Sequence, residues 1–188
     1  MKNDYHIGVD WTSQFSITNL VSKFSLYCTS KVYIILFGMC LFTGTLIYIA
    51  VFSRYLDIIG RKVCMLTSLC INILLLILII LCPPHLYLMY LLLILYGISA
   101  STLSVSSAVF CAEFIPKQYS STALLLSNFG KSSSLILGCF FFFLVSQNME
   151  GFFITNICIC TLSIAIILMY FPESPKFYHI NKQYKKSR

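Results

Sequence analysis

One basic side chain, Lys131, lies inside a long apolar stretch of this sequence, close to Asn128, Ser132 and Ser134. If the apolar span begins at residue 121, Lys131 lies about 15 Å along the helix axis, at ~1.5 Å per residue. That depth is near the middle of a hydrocarbon core roughly 30 Å thick. A lysine there must face protein or water, pair with a carboxylate, or lose its proton. The four residues therefore form a candidate binding site for an anionic solute or a solute carboxylate.

A second placement of Lys131 begins the span at Ser132 and puts the lysine at the membrane surface. The run 132–145 is then too short, because a spanning helix needs about 20 residues. We favour the placement within the span for this reason.

A polar segment, residues 53–62, holds a second group of charged residues, with Asp57 followed by Gly60, Arg61 and Lys62. Glycine tolerates backbone angles that other residues avoid, so Gly60 allows two helices to turn within a few residues. Basic residues beside an apolar span are favoured at the cytoplasmic surface of a membrane. The sequence predicts a tight basic loop between two spanning helices.

Five apolar runs surround these polar positions, and each is long enough to cross a bilayer as a helix. Pro83 and Pro84 separate the second run from the third, and Pro116 ends the third. The sequence thus predicts an all-α, multi-pass integral membrane protein. Its spans are residues 32–52, 63–82, 86–112, 121–145 and 152–171.

Composition excludes several other classes of protein. Apolar residues make up 59% of the chain and charged residues 10%, which is unlike a soluble domain. The net charge is +7, and the basic residues lie beside the apolar runs and in the tail. Attraction to the surface of the lipid bilayer explains this charge, so no nucleic-acid partner is predicted. The nine cysteines form no C-x-x-C pair and have no zinc-ligand spacing, so we predict no metal and no cofactor. No catalytic set of side chains indicates an enzyme.

The third span contains small residues at helical spacing. Gly97 and Ser101 are four residues apart, as are Ala100, Ser104 and Ala108. Such a face lets a neighbouring helix approach closely. It could also line a solute path, and we favour packing.

Three motifs resemble those of the major facilitator superfamily of transporters. The spacing of Asp57, Gly60, Arg61 and Lys62 is similar to the loop between the second and third helices of that family, although Ser53 and Ile58 depart from it. Two further motifs resemble motifs of organic ion transporters, and the second of the two also resembles a motif of sugar transporters. They are Glu113-x-x-Pro116-x-x-Tyr119, with Ser120 in place of the family's Arg, and residues 172–177, PESPKF.

A weaker likeness lies at residues 24–28, which resemble the stretch before the second helix of organic ion transporters. Lys23 stands there in place of the family's Glu. The resemblance as a whole implies helices two to six of the N-terminal six-helix bundle. It implies a charge network that gates the cytoplasmic face, formed by Asp57, Gly60, Arg61, Lys62, Glu113, Lys117 and Glu173.

The resemblance also implies the function. A complete relative would move a small organic solute by alternating access between two six-helix bundles. Five helices cannot do this alone, so the partner would be a missing transporter half or another membrane chain, and the sequence reads as a fragment or truncated form. The alternative is a non-transporting helix bundle that acts as a scaffold or partner-binding subunit.

The predicted topology can be tested with a reporter. Placing residues 1–31 outside and the tail, residues 172–188, in the cytoplasm puts most Lys and Arg residues of the short loops on the cytoplasmic side. We expect a reporter fused after Arg188 to be cytoplasmic in intact cells. An extracellular signal would overturn this orientation.

Overall fold

The computed structural model describes residues 18–52, 60–145 and 147–170. Its five long helices are all long and apolar enough to cross a bilayer, which confirms the predicted all-α class. A π-helical turn, Tyr48–Phe52, extends the first of them. The helices are α1 (Lys31–Ile47), α2 (Arg61–Leu81), α3 (Leu86–Phe114), α4 (Ser120–Leu144) and α5 (Met149–Tyr170).

Four of the five helices begin one to three residues earlier than the apolar runs suggested, and α3 begins at the predicted residue, Leu86. α2 starts at Arg61, so Arg61 and Lys62 lie in its first turn and not in a loop. α5 starts at Met149, before the predicted residue 152. The N–H groups of a first helical turn have no partner within the helix, so polar residues are common there and hydropathy alone misplaces the boundary. Gly60 precedes α2 with φ 104°, a left-handed value that favours glycine.

The polar segment before α1 packs across one end of the bundle. Asn19 caps a short helix, Leu20–Lys23, in a reciprocal pair of hydrogen bonds. The Ser22 N–H donates to Asn19 Oδ1 at 3.0 Å, and the Asn19 N–H donates to Ser22 Oγ at 2.9 Å. Leu26 is buried in a cluster with Phe37 of α1 and Met89 of α3. This segment is therefore part of the described fold.

α3 is the central helix, because it packs along both α1 and α2. α2 also packs against α5, whereas α4 contacts α3 and α5 over much less of its length. Two apolar clusters fill the space between the helices at opposite ends. One includes Leu26, Phe37, Leu75, Ile79, Met89 and Leu93; the other includes Met65, Leu69, Phe110, Cys160 and Ile167.

α1 and α3 cross at two glycines. A Cβ atom built on Gly44 would collide with the backbone oxygen of Ile94 and would lie 3.0 Å from the Cα of Gly97. A Cβ atom on Gly97 would in turn collide with the backbone oxygen of Leu41. Only hydrogen fits at either position, so the two backbones pack directly against each other.

Hydroxyl groups continue this contact along α3. Ser101 Oγ donates to Thr45 Oγ1 of α1 at 3.0 Å, and Ser99 Oγ donates to the backbone oxygen of Ser68 in α2 at 3.0 Å. Ser99 is only 4% exposed. The prediction that the small residues of the third span serve packing is confirmed for Gly97 and Ser101.

The glycine crossing can be tested within one helix. Gly44→Leu should lower the free energy of unfolding by about 2 kcal/mol or more, because overpacking forces the backbones apart. Gly38 is the matched control, since a Cβ atom there meets nothing within 4 Å. We expect Gly38→Leu to be neutral or slightly stabilising, since leucine is the better helix former. Unfolding by SDS in mixed micelles measures both, and equal effects would contradict the crossing.

Candidate functional site

The helix that carries Lys131 is continuous. α4 runs from Ser120 to Leu144 without a break at the polar residues, so Lys131 lies about 16 Å from its first residue, at ~1.5 Å per residue. The helix therefore does not begin at Ser132. The serines do not interrupt the helix because they bond to its own backbone. Ser133 Oγ donates to the Phe129 oxygen at 2.8 Å, and Ser134 Oγ donates to the Lys131 oxygen at 2.6 Å.

The four predicted solute-binding residues share one helix and are all exposed. Lys131 is three residues from both Asn128 and Ser134, and Ser132 is four residues from Asn128, so each has a neighbour on the helix surface. None of them is covered by the other described helices. Whatever binds to these side chains must therefore approach from outside the described bundle.

The predicted charge network falls only partly within the described residues. Arg61 is 8% exposed in the first turn of α2, and Lys62 is half-buried beside it. Burying a guanidinium requires acceptors close to it. Asp57 and Glu173 lie outside the described residues, and so do the side chains of Glu113 and Lys117.

Lys23 completes the end of α2, a contact that sequence reasoning missed. In a continuing helix, the carbonyls of Ile79 and Ile80 would accept from the N–H groups of residues 83 and 84. Both of those residues are proline, which has no N–H. The Lys23 ammonium supplies the missing donors, at 3.1 Å to the Ile79 oxygen and 2.8 Å to the Ile80 oxygen. Its positive charge also favours the negative end of the helix dipole.

The same segment is joined to the turn before α5. The Thr18 N–H donates to the Gln147 oxygen at 3.0 Å, and the Met149 N–H donates to the Thr18 oxygen at 3.2 Å. Thr18 Oγ1 also donates to Asn148 Oδ1 at 3.0 Å. Beside these bonds lies an open cavity of about 360 Å³ that Lys23 and Glu150 help to line. The cavity lies at the end of the bundle opposite the first turn of α2.

A second, larger cavity of about 560 Å³ lies between α1, α2 and α3. We call it the Tyr48 groove. Tyr48 lines it from the π-helical turn and is 1% exposed. Its hydroxyl has no hydrogen-bond partner among the residues that the structure describes. A buried hydroxyl without a partner costs about 1–3 kcal/mol. No sequence signal marked this residue, because the groove depends on how three helices pack.

The role of Lys23 predicts a specific loss of stability. Lys23→Met should lower the free energy of unfolding by about 1 kcal/mol, since the Ile79 and Ile80 carbonyls then keep only water as a partner. Lys23→Arg should retain most of the stability. Lys31→Met is the control, because Lys31 is exposed at the start of α1. If Lys23→Met and Lys31→Met have the same effect in SDS titration, Lys23 does not stabilise the helix end.

The sequence was compared with known proteins and with models of protein families. A search of curated proteins finds no match to this sequence. The family model of the Major Facilitator Superfamily matches residues 7–188, nearly the whole chain. That superfamily consists of transporters and not of enzymes. The match agrees with the five spanning helices and with the resemblance that the loop motifs predicted. The chain belongs to the Major Facilitator Superfamily.

Proposed function

We propose that this chain forms part of a secondary transporter for a small organic solute. The observation that carries the proposal is Lys131, which is exposed near the middle of a continuous apolar helix. A cation at that depth is costly against lipid and is typical of a solute or ion pathway. Membership of a transporter family supports a role of this kind for the lysine.

Lys131 would attract an anionic solute, or the carboxylate of a zwitterionic one. Asn128 and Ser132 offer hydrogen bonds on the adjacent helix surface, and Ser134 adds a hydroxyl one turn further on. The motifs at Glu113–Tyr119 and at residues 172–177 favour an organic ion transporter over other members of the superfamily. The proposed solute is thus a small organic anion and not a simple organic cation.

Alternating access requires two bundles that rock about a site between them. A second bundle, on the same or another polypeptide, therefore belongs to the proposal. α4 is the helix with the most surface available to it, because no residue in its most apolar stretch is buried. Leu125, Leu126 and Phe129 of this helix are 70%, 70% and 71% exposed. Lys131 is the residue of α4 that most needs a protein or water neighbour.

The basic end of α2 would gate the cytoplasmic face. In this proposal Asp57, Arg61 and Lys62 form a charge network that also includes Glu113, Lys117 and Glu173. Gly60 sets the turn, and its positive φ supports that role. The burial of Arg61 supports a network in which the guanidinium has partners.

The proposal is tested by cysteine accessibility in a variant that lacks the native cysteines. A membrane-impermeant thiol reagent should label Lys131→Cys, and a small organic carboxylate should slow that labelling. Leu125→Cys is the control on the same helix, since Leu125 is 70% exposed and apolar. We expect it to stay unlabelled in lipid.

Two results would end the proposal. Rapid labelling of residue 131 from the cytoplasm alone, unaffected by any solute, would place the lysine at the membrane surface. Absence of labelling from either side would place it against lipid or in a closed interior. In either case Lys131 would not lie on a solute path.

A further inference from the structure

The sequence provides no acidic residue at the depth of Lys131. None of its six Asp and Glu residues lies inside one of the five apolar runs. Glu113 lies in the last turn of α3 and Glu150 in the first turn of α5, so both belong to helix ends. A lysine ammonium in a hydrocarbon core needs a counter-charge or water. A counter-charge for Lys131 must therefore come from outside the five helices.

Neither end of α4 is close to this lysine. Lys131 lies about 16 Å from the first residue of α4 and about 20 Å from the last, at ~1.5 Å per residue. Lysine side chains reach the membrane surface only from positions near helix ends. A lipid phosphate therefore cannot serve as the counter-charge when α4 spans the bilayer.

A row of small residues runs along α4 beside Lys131. Gly130, Ser134 and Gly138 follow one another at intervals of four residues, so they line one side of the helix, and we call them the Gly130 row. Lys131 precedes Ser134 by three residues and Gly138 by seven, which places it on the same face. The Ser134 hydroxyl donates to the Lys131 backbone oxygen at 2.6 Å and is thus turned onto its own helix. The surface next to the ammonium is therefore shallow.

No described helix packs into this row at Gly130. A Cβ atom built there meets nothing within 4 Å, and one built on Gly138 meets only the ring of Phe152, at 3.9 Å. By contrast, a Cβ atom on Gly44 would collide with the backbone oxygen of Ile94 where α1 and α3 cross. Glycine weakens a helix unless a close approach requires it. The two glycines of α4 therefore indicate a further helix that packs here.

We propose that α4 packs against a membrane-spanning helix that carries a carboxylate at the depth of Lys131. This inference rests on the proposed function, because it names the group of the second bundle that pairs with the lysine while no solute is bound. Close approach along the Gly130 row brings the carboxylate to the ammonium, and the low dielectric of the core strengthens the pair. An anionic solute then competes with this carboxylate for Lys131.

Charge excludes a second copy of this chain as the occupant. Two α4 helices packed along their Gly130 rows would bring two lysines together, and like charges repel strongly in the core. The other helices of a copy carry no acidic residue inside the apolar runs. An acyl chain is neutral and would leave the ammonium without a counter-charge. A helix with a carboxylate fits both the row and the charge.

The test uses the full chain in phosphatidylcholine vesicles with synthetic single-span peptides of leucine and alanine. The peptides differ only in the residue at their centre, which is Glu, Gln or Lys. Energy transfer from a dye attached after Arg188 to a dye on the peptide measures association. The Glu peptide should associate with the wild type about 3- to 30-fold more tightly than the Gln peptide, the effect of one strong interaction between helices. The Lys peptide should associate least.

Two variants separate the charge from the row. Lys131→Met should remove the preference for the Glu peptide over the Gln peptide, whereas Lys131→Arg should retain it. Gly130→Leu should weaken association of both peptides, because it fills the row without a clash inside the chain. Gly38→Leu is the matched control, since Gly38 is also an exposed helical glycine whose Cβ would meet nothing within 4 Å. It should bind the peptides like the wild type.

Three results would overturn the proposal. The first is equal association of the Glu and Gln peptides with the wild type. The second is a preference for the Glu peptide that persists in Lys131→Met, which would place the carboxylate elsewhere. The third is equal weakening by Gly130→Leu and Gly38→Leu, which would mean that the peptide does not use the row.

Failure of this inference is distinct from failure of the proposed function. If the peptides do not associate but a small organic carboxylate still slows labelling of Lys131→Cys, Lys131 lies on a solute path and pairs with no helix, which overturns only the inference. If the Glu peptide associates through Lys131 and no solute affects the labelling, the charge pair stands and the solute path is wrong.

Discussion

The direct contact of two backbones at Gly44 and Gly97 sets the arrangement of the bundle. Helices in lipid gain little from burying apolar side chains, so close packing and interhelical hydrogen bonds must hold them together. The crossing brings α1 near enough to α3 for Ser101 to donate to Thr45 at 3.0 Å. On the other side of α3, Ser99 bonds to α2. α3 is thereby fixed to both neighbours, and the Tyr48 groove is the space that remains between the three helices.

Much of the architecture could be predicted from the sequence because the bilayer imposes a length. The five apolar runs predicted five helices, and the small residues of the third span predicted the packing face at Gly97. The argument for Lys131 rested on the same rule, because a span beginning at Ser132 would be too short. α4 is continuous through Lys131, and the depth of this lysine in a bilayer stays a prediction. The loop motifs predicted the superfamily, which the family model confirms.

The remaining features depend on tertiary contacts that no local pattern carries. Lys23 looked like a departure from a family motif, yet it supplies donors to two carbonyls that Pro83 and Pro84 leave without N–H partners. The two prolines indicated that the carbonyls of Ile79 and Ile80 would lack N–H partners. They did not indicate which side chain would donate to those carbonyls. The sequence did not single out Tyr48 either, because its hydroxyl is buried without a described partner only as a result of how α1, α2 and α3 pack. Arg61 was placed in a loop because hydropathy ignores the first turn of a helix.

A disulfide cross-link between α1 and α3 tests the central contact most directly. In a variant that lacks the native cysteines, Thr45→Cys with Ser101→Cys replaces two oxygens 3.0 Å apart by sulfurs. We predict rapid oxidation to a cross-link within the membrane, detected on a gel after cleavage of the chain between α1 and α3. Thr43→Cys with Ser101→Cys should stay open, because Thr43 is exposed. Failure of the first pair to cross-link, or equal cross-linking of both pairs, would contradict the Gly44–Gly97 crossing.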